Sequence, residues 1–434
     1  MKITFICPAF ERHAQAHPEL RAFVPANEYI GPPSPGIAAV AAATPEGHQV
    51  EFLDDRITPF DLEHEADLYA ISSFTPAATR AFELGDALRA RGKKVVLGGI
   101  FPSMMPDLAA EHCDAVVVGE GEGVWPQIVA DAQKGKLAPR YQSQEPLDLA
   151  TIKRPRVELY LDAEKPGAPC DDYPLQLSRG CPLSCDACVL PIMCGSRIRF
   201  HSEQNVIDTM TVFARAGKLL SLTEDTSVFG IHGARKMLRK FLERTIELQK
   251  QGIPIKLSYL GISMPMVLSL DPTLLTLMRQ SGMDRFYLVG GFDPITRQAF
   301  GTGDPAAMEK AERTIARCRE LGIDPYVSFL VGNADDDEGV FDRMLEFCTR
   351  TGVDLAEFAI STPYPGTPIW KRYEAEGRIF DRTWKHYNDA NVVFKPHKMS
   401  ALRLQEGYIY LWREFYQGRQ ELRTREHTRG TIQF

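Results

Sequence analysis

A short cysteine-rich loop decides how the rest of the chain is interpreted. Residues 179–188 read RGCPLSCDAC and follow closely on an apolar stretch, 175–177. The loop places three cysteines at the spacing C-x3-C-x2-C: Cys181, Cys185 and Cys188. Thiolates are soft ligands that bind both iron–sulfur clusters and zinc. A compact loop of this kind can hold three corners of a cubane cluster and leave the fourth corner for a substrate or cofactor.

A zinc site is the alternative for the same cysteines. A structural zinc ion needs a fourth protein ligand, and Cys170 and Cys194 are nearby candidates. The iron–sulfur cluster is favoured because the loop opens a series of strand–helix units at the end where such folds bind their ligands.

Apolar strands alternate with helical patterns downstream of the loop. The candidate strands, beginning with the one that leads into the loop, are Leu175–Leu177, Leu219–Leu222, Ile255–Tyr259, Phe286–Val289, Tyr326–Leu330 and Ala356–Ile360. Helical patterns separate several of them, notably Pro305–Leu321 and Asp336–Gly352. Six strand–helix units predict a partial or full α/β barrel over residues 173–380. The amphipathic stretch Ala401–Phe415 predicts a short helical C-terminal extension, residues 381–434.

The first 140 residues show the same alternation. Their short buried strands are Lys2–Cys7, Gln49–Leu53, Leu68–Ser72, Lys94–Leu97 and Ala115–Val118. This pattern predicts a doubly wound parallel sheet of the Rossmann type over residues 1–140, covered by helices on both faces. Ligands of such sheets bind at the carboxyl ends of the strands, which here carry serines and glycines. The polar, proline-rich residues 141–172 predict a linker to the second domain.

Composition and charge narrow the class of protein. The 434 residues include 50 basic and 57 acidic side chains, and the net charge of -7 argues against a nucleic-acid binder. Nine cysteines are too few for a disulfide scaffold in a chain of this length. No run of about 18 apolar residues is present, and the N-terminal apolar run is too short for a secretion signal, so no membrane span is expected. We expect a cytoplasmic enzyme, in a reducing compartment where clustered cysteines bind metal.

The cysteine loop resembles the signature of the radical S-adenosylmethionine (SAM) superfamily, C-x3-C-x-Φ-C, in which Φ is usually aromatic. The three cysteines match the cluster ligands of that signature. The resemblance implies a [4Fe-4S] cluster whose open iron binds the amine and carboxylate of SAM, and whose reduction leads to a 5′-deoxyadenosyl radical. The chain departs from the pattern at Ala187, which stands at the Φ position. Adenine stacking must therefore come from another residue or be weaker.

The same resemblance implies SAM contacts further along the chain. Glu224 and Asp225 fall where the superfamily has a Gly-Gly-Glu-like motif for the amino group, and a carboxylate can accept hydrogen bonds from an ammonium group. An acidic pair that caps a helix is the alternative reading. Four residues near the ends of the third and fourth barrel strands are expected to contact the ribose or the carboxylate: Ser258, Ser263, Gly290 and Gly291.

The order of these segments resembles the large branch of the superfamily that carries a B12-binding domain. Its Tyr-Pro-Gly-Thr segment is present at residues 364–367. The resemblance implies contacts to the corrin ring or its nucleotide tail from the strand ends of the first sheet: Ser72, Ser73, Gly98, Gly99 and Glu120. The motif D-x-H-x-x-G, whose histidine ligates cobalt, is absent, and neither His13 nor His17 has the required context. Some relatives keep the domain without cobalamin, but cobalamin binding is favoured here.

These features predict a radical SAM enzyme that functionalises a small-molecule substrate. The leading hypothesis is methyl transfer to an unactivated carbon in secondary metabolism, with the cluster, SAM and cobalamin as cofactors and a flavodoxin or ferredoxin as electron donor. A cyclisation, an oxidation or a 3-amino-3-carboxypropyl transfer is the alternative within the superfamily. A non-catalytic iron–sulfur or zinc protein, with Cys194 as the fourth ligand, is the alternative of another class.

Overall fold

The computed structural model describes residues 1–24, 33–164, 172–224, 232–291 and 293–419. Cys170 and Asp225, both singled out above, lie outside these ranges. Within the described part, two six-stranded sheets follow one another along the chain.

The first sheet has six strands: β1 (Lys2–Cys7), β2 (Gln49–Asp54), β3 (Leu68–Ser72), β4 (Val95–Gly98), β5 (Ala115–Val118) and β6 (Arg140–Gln142). All pair in parallel, in the order β2-β1-β3-β4-β5-β6. Its helices are α1 (Pro35–Ala42), α2 (Ala78–Ala90), α3 (Ile100–Met104), α4 (Pro106–Ala110) and α5 (Trp125–Gln133). The doubly wound sheet is therefore confirmed. Strand β6 was not predicted, because only Tyr141 of its three residues is buried.

The order of the strands reverses between β1 and β3, which are neighbours in the sheet. Such a switch point opens a crevice at the carboxyl ends of the strands. Gly99 lies at this edge with φ +96°, and a Cβ atom there would lie 2.7 Å from the carbonyl oxygen of Ser73. The backbone at the ends of β3 and β4 can therefore approach closely only because residue 99 is glycine.

Eight further strands follow helix α6 (Glu158–Asp162): β7 (Asp172–Leu175), β8 (Ser178–Arg179), β9 (Arg199–Phe200), β10 (Leu219–Leu222), β11 (Lys256–Ser263), β12 (Arg285–Val289), β13 (Asp324–Val331) and β14 (Leu355–Ile360). Strands β8 and β9 form an antiparallel ribbon. The other six form a parallel sheet in the order β14-β13-β12-β11-β10-β7. No pairing joins β14 to β7 among the described residues, so the second domain is the partial form of the predicted α/β barrel.

Ten helices are described in this second half: α7 (Leu190–Cys194), α8 (Glu203–Arg215), α9 (His232–Lys250), α10 (Met264–Val267), α11 (Pro272–Gln280), α12 (Pro294–Arg297), α13 (Pro305–Glu320), α14 (Val340–Thr351), α15 (Pro368–Ala375) and α16 (Ala401–Tyr416). Four of them begin with a capping side chain followed by proline, an arrangement that satisfies free backbone N–H groups and presets the helical φ angle. The caps are Asp271, Asp293, Asp304 and Thr367. The residues at each of these helix starts therefore determine where the helix begins.

Helix α16 covers the last strand of the barrel. The indole of Trp412 donates to the carbonyl of Phe358 at 3.1 Å, and the Tyr416 hydroxyl donates to the carbonyl of Ala356 at 2.7 Å. The predicted C-terminal extension therefore contains a helix that packs against this side of the barrel. None of the described helices has the length and apolar character needed to cross a bilayer.

Candidate active site

The cysteine loop is closed at its base by the β8–β9 ribbon, in which Arg179 pairs with Arg199. The N–H of Cys181 donates to the carbonyl of Gly195 at 3.1 Å, which brings the two arms of the loop together. Gly180 has φ +100°, and a Cβ atom there would lie 2.2 Å from the carbonyl oxygen of Arg197. Only glycine can therefore occupy the base of this loop.

The three cysteines lie on this one loop with different exposure. Cys181 is buried, whereas Cys185 and Cys188 are half-buried. The N–H of Cys188 donates to the carbonyl of Cys185 at 3.2 Å, and the Cys188 sulfur accepts a hydrogen bond from the N–H of Leu190 at 3.4 Å. Burial raises the pKa of Cys185, and the neighbouring Cys181 adds to this rise.

The chemistry of this donor set fits an iron–sulfur cluster, since it offers three soft ligands on a short loop. Across the described ranges, no group of three or more His, Cys, Asp or Glu side chains is arranged to hold a metal ion. The loop conformation thus does not gather the three sulfurs around one point. Their role as cluster ligands stays a prediction.

Glu224 lies two residues beyond β10, beside the start of the cysteine loop. Its buried carboxylate accepts hydrogen bonds from the N–H groups of Leu177 and Ser178 and from the Ser178 hydroxyl. A carboxylate is therefore present at the carboxyl edge of the second sheet, as predicted, but it already contacts the protein backbone. Its role toward SAM stays a prediction.

The two predicted serines of the third barrel strand lie at opposite parts of that strand. Ser263 ends β11 at the carboxyl edge, where α10 begins. Ser258 is the third residue of β11, and its hydroxyl donates to the carboxylate of Asp172, the first residue of β7, at 2.7 Å. The expectation that Ser258 flanks the strand end is wrong, because the strand continues through Gly261, which pairs with Tyr287 of β12.

The two glycines after β12 lie at the carboxyl edge, where they were expected. The N–H of Gly290 donates to the carbonyl of Ser328 at 2.9 Å, and the N–H of Gly291 donates to the Thr296 hydroxyl at 2.8 Å. Gly291 has φ +89°, and a Cβ atom there would lie 2.7 Å from Cβ of Leu330. Packing of the backbone therefore requires glycine at position 291, with or without a cofactor.

A cavity of about 200 Å³ opens at the carboxyl edge of the first sheet. Four of the five residues predicted to contact cobalamin line it: Ser72, Gly98, Gly99 and Glu120. Its deeper wall is apolar and includes Phe5, Ile37, Val40, Val117 and Trp125. The fifth residue, Ser73, does not line the cavity. The Ser73 N–H donates to the carbonyl of Gly98 at 3.0 Å, and its hydroxyl is buried without a hydrogen-bond partner among the described residues.

The outer wall of the same cavity comes from the second half of the chain. It includes Arg179 from β8 and three residues of α7, which begins two residues after the last cysteine of the triplet: Leu190, Met193 and Cys194. Cys194 therefore faces the cavity from α7. The crevice of the first sheet and the segment after the cysteine loop share one space.

A buried cluster of four charges joins the segment after β5 of the first sheet to the β8–β9 ribbon beside this cavity. Arg179 contacts Glu120 at 3.1 Å and Glu122 at 2.7 Å, and Arg199 contacts the second oxygen of Glu120 at 2.7 Å. Burial by itself raises the pKa of Glu120, but the hydrogen bond from Arg199 and the charge of Arg179 outweigh burial and hold the pKa below its usual range. We call this set, with Glu122, the Glu120 cluster.

Comparison with known proteins agrees with this arrangement. Residues 29–129 match the sequence profile of the B12 binding domain family. The structure of the radical SAM methyltransferase TsrM from Kitasatospora setae, with cobalamin and a [4Fe-4S] cluster bound, has the same fold. Its TM-score is 0.64 at 19% identity, and the match covers 94% of this chain and 85% of that one. The chain therefore shares the fold of this cobalamin-binding radical SAM structure.

Two further proteins to which the chain is similar are methyltransferases. The structure of TsrM with tryptophan substrate and the SAM analog aza-SAM bound gives a TM-score of 0.65 at 19% identity, covering 95% of this chain and 83% of that one. The bacteriochlorophyllide d C-8(2)-methyltransferase of Chlorobaculum tepidum is 28% identical over 409 residues, which is 87% of this chain and 85% of the relative.

A second charged cluster lies between the two halves of the chain, and we call it the Glu357 cluster. Glu357 of β14 contacts the guanidinium of Arg12, and it accepts a hydrogen bond from the Tyr287 hydroxyl. His13 Nδ1 lies 2.8 Å from the Tyr408 hydroxyl, and His13 Nε2 lies 3.3 Å from Glu357. Arg12 and His13 follow β1, so the loop after that strand docks into the barrel.

The histidine ring of this cluster is buried and neutral. Burial, with the charge of Arg12, lowers the pKa of His13 to about 4. Burial opposes ionisation of Glu357, but the charge of Arg12 and the bond to His13 prevail and lower its pKa to about 2. The His17 ring nitrogen lies 2.9 Å from the carbonyl oxygen of Ala390. Neither histidine lines the cavity of the first sheet.

The residues that join the sheets were not identified from sequence: Arg12, Arg179, Arg199 and Glu357. The only local signal is the position of Arg179, directly before the glycine at the base of the cysteine loop. The partner of a charged residue lies on another strand far along the chain, and spacing in the sequence carries no information about it.

Proposed function

We propose that this enzyme is a cobalamin-dependent methyltransferase that adds a methyl group to an unactivated carbon of a small molecule. The observation that carries the proposal is the shared cavity. One wall is the carboxyl edge of the B12-binding sheet, and the other includes α7, which begins two residues after Cys188. A corrinoid bound at that edge and a cluster held by the loop lie on either side of one short segment.

The chain offers residues that can hold each of the cofactors. Cys181, Cys185 and Cys188 supply three thiolates to the cluster, and Glu224 supplies a carboxylate for the amino group of SAM. Ser263, Gly290 and Gly291 lie at the same edge of the barrel and are proposed to border SAM. Ser258 is not included, since it lies near the other end of its strand. When bound, the cluster and SAM supply a carbon-centred radical, and cobalamin supplies a transferable methyl group.

The cavity suits one part of a corrinoid in particular. Its apolar wall contains two aromatic rings, Phe5 and Trp125, whose centroids lie 5.1 Å apart. An apolar wall with two aromatic rings suits a flat heterocycle such as the base of the nucleotide tail. Among the described residues that line it there is no histidine. We therefore propose that this wall binds the tail and offers no imidazole to the cobalt.

The chain itself contributes binding, orientation and exclusion of water. The apolar wall and the buried charged clusters close the space between the sheets, and a closed site limits side reactions of a radical. The proposal includes a one-electron donor of the flavodoxin or ferredoxin type, which the cluster requires.

The test begins with the reconstituted protein. Iron and sulfide should produce the absorption shoulder at ~400 nm that is expected of a [4Fe-4S] centre, and added cobalamin should co-purify. SAM labelled in its methyl group should label the product, and 5′-deoxyadenosine should accumulate. Tryptophan and bacteriochlorophyllide, the compounds named for the similar proteins, are the first substrates to try. Label from the aminocarboxypropyl part in the product, or product without label, would indicate another radical SAM reaction.

A matched pair of variants separates the cluster ligands from ordinary cysteines. Cys185→Ala should lose the cluster absorption and the formation of 5′-deoxyadenosine. Cys318→Ala, which truncates a fully buried cysteine of α13, should keep both. An unchanged cluster and activity in Cys185→Ala would contradict the assignment. One zinc ion per chain, or a cluster that SAM does not perturb, would support the non-catalytic alternative instead.

A further inference from the structure

One carboxylate of the B12-binding sheet contacts both arms of the cysteine loop. One oxygen of Glu120 contacts Arg179, directly before the loop, at 3.1 Å, and the other contacts Arg199, directly after it, at 2.7 Å. The second oxygen also accepts a hydrogen bond from the N–H of Leu147 at 3.1 Å. Three separate segments therefore meet on one side chain that itself lines the corrinoid cavity.

The same contacts extend to the wall of the cavity. The guanidinium of Arg199 donates to the carbonyl of Cys194, the last residue of α7, at 2.7 Å and to the carbonyl of Leu147 at 2.7 Å. Because α7 lines the cavity and immediately follows the triplet, Arg199 connects Glu120 to the segment that both sites share. A shift of the cysteine loop must move this wall.

We propose that Glu120 is a positioning residue that couples the two cofactor sites, so that assembly of the cluster and binding of the corrinoid strengthen each other. This inference rests on the proposed function, because it needs both groups to bind. It also changes the expected role of Glu120, which acts through Arg179 and Arg199 and not as a contact to the corrin.

The physical reason is the burial and the charge balance of the Glu120 cluster. Two carboxylates and two guanidinium groups are held with little access to water, between 5% and 10% exposed. Each arginine loses a buried counter-charge if Glu120 moves, and such a loss is costly. The loop and the crevice are therefore expected to hold their working positions together. Coupling of this kind is reciprocal: the cluster tightens corrinoid binding by the same factor as the corrinoid tightens the cluster.

The experiment measures the dissociation constant of hydroxocobalamin for the full chain, with and without a reconstituted cluster. In the parent, the cluster should tighten binding by about tenfold, within the usual range for coupled sites. In Glu120→Gln, which keeps the shape and removes the charge, the factor should fall to about one. Asp107→Asn, which removes the exposed partner of Arg140, should keep the factor of the parent.

A second variant and a second readout keep the test decisive. Arg199→Lys keeps the charge but cannot reach Glu120, Leu147 and Cys194 together, so it should also lower the factor. Loss of iron to a chelator should also slow when cobalamin is present, in the parent only. A factor of about one in the parent, or an unchanged factor in both variants, would overturn the inference and leave the proposed function standing. A parent that binds neither the cluster nor cobalamin would instead overturn the proposed function.

Discussion

Each of the two charged clusters pairs a buried carboxylate from one half of the chain with arginine from the other half. The half that supplies the carboxylate differs between the two clusters. In the Glu120 cluster the central carboxylate follows β5 of the first sheet and its arginines flank the cysteine loop. In the Glu357 cluster the central carboxylate belongs to the barrel and its arginine follows β1 of the first sheet. Both carboxylates are buried, and both have a pKa below the usual range because of their arginines.

The difference lies in what each cluster touches. Glu120 lines the cavity and holds the arms of the cysteine loop. Glu357 instead contacts Tyr287 and His13 directly, and Tyr408 through His13. We infer that the Glu357 cluster docks the two sheets and that the Glu120 cluster sets the geometry of the site. We therefore predict that changes in the Glu357 cluster lower the stability of the fold. Changes in the Glu120 cluster should instead weaken the coupling between the cofactor sites.

The largest expected effect on stability is that of Arg12→Gln. It leaves Glu357, whose side chain is 3% exposed, without its cation, and removal of one partner of a buried pair costs about 3–5 kcal/mol. Denaturant unfolding would measure this loss, provided that the m-value of the variant equals that of the parent. Arg140→Gln, which breaks an exposed pair with Asp107, is the control and should cost less than about 1 kcal/mol. A loss in Arg12→Gln no greater than in this control would contradict a docking role for Glu357.

The next effect is the pH dependence of stability. The pKa of His13 is about 4 in the folded protein and that of His201, beside Arg179, is also about 4, in both cases chiefly because of burial. The unfolded chain binds these protons near the ordinary value of 6.5, so stability is complete above that pH and falls as the pH drops toward 4. The expected slope is about 1.4 kcal/mol per pH unit for each proton.

A pair of variants assigns this slope to the two histidines. Asparagine tolerates the φ of +45° at position 13, so His13→Asn is the first variant, and His201→Gln is the second. Each variant should remove one proton from the pH dependence of stability between pH 4.5 and 6.5. Glu357 titrates below this window, because its folded pKa is about 2. Unfolding free energies across the window are the measurement. A slope that persists in both variants would show that other groups carry it.

Much of the fold could be predicted from the sequence, because each strand and helix is formed by one continuous segment. Five strands of the first sheet lie within one residue of their predicted bounds, and β10 was predicted without error. The short ribbon of β8 and β9 was missed, because two-residue strands leave no periodicity. The end of β11 was placed too early at Tyr259, because Gly261 interrupts the apolar run. The sheet continues through this glycine, which pairs with Tyr287.

Only those parts of the candidate site that lie on one continuous segment could be predicted from the sequence. The cysteine triplet and the glycines at strand ends are visible as spacing, and most of them lie at the expected edges. The side chains that bring the two halves together are single charges on distant strands, such as Glu120 and Arg199. Their pairing depends on the packing of two sheets, and no local rule in the sequence encodes it.

A smaller effect is expected at the base of the cysteine loop, where Gly180 can be compared with Gly217, a second glycine of positive φ. Gly180→Ala places a Cβ atom 2.2 Å from a backbone oxygen at φ +100°, whereas Gly217→Ala has φ +75° and open space around it. Backbone strain alone costs about 1–2 kcal/mol, so Gly217→Ala should lose about that amount and Gly180→Ala more. The two variants should also differ in function, since only Gly180→Ala should lower iron content after reconstitution. Equal losses of stability in the two would contradict the close contact at the loop.

The smallest effect concerns the one predicted cobalamin contact that lies outside the cavity wall. The Ser73 hydroxyl is buried without a hydrogen-bond partner among the described residues, so Ser73→Ala removes a group that is costly to bury. Stability should stay the same or rise by less than about 1 kcal/mol, measured by denaturant unfolding, and cobalamin affinity should not change. Ser72→Ala is the matched control, because its residue lines the cavity. A loss of cobalamin affinity in Ser73→Ala would instead mean that the unpaired hydroxyl binds the corrinoid, and that the crevice rearranges to present it.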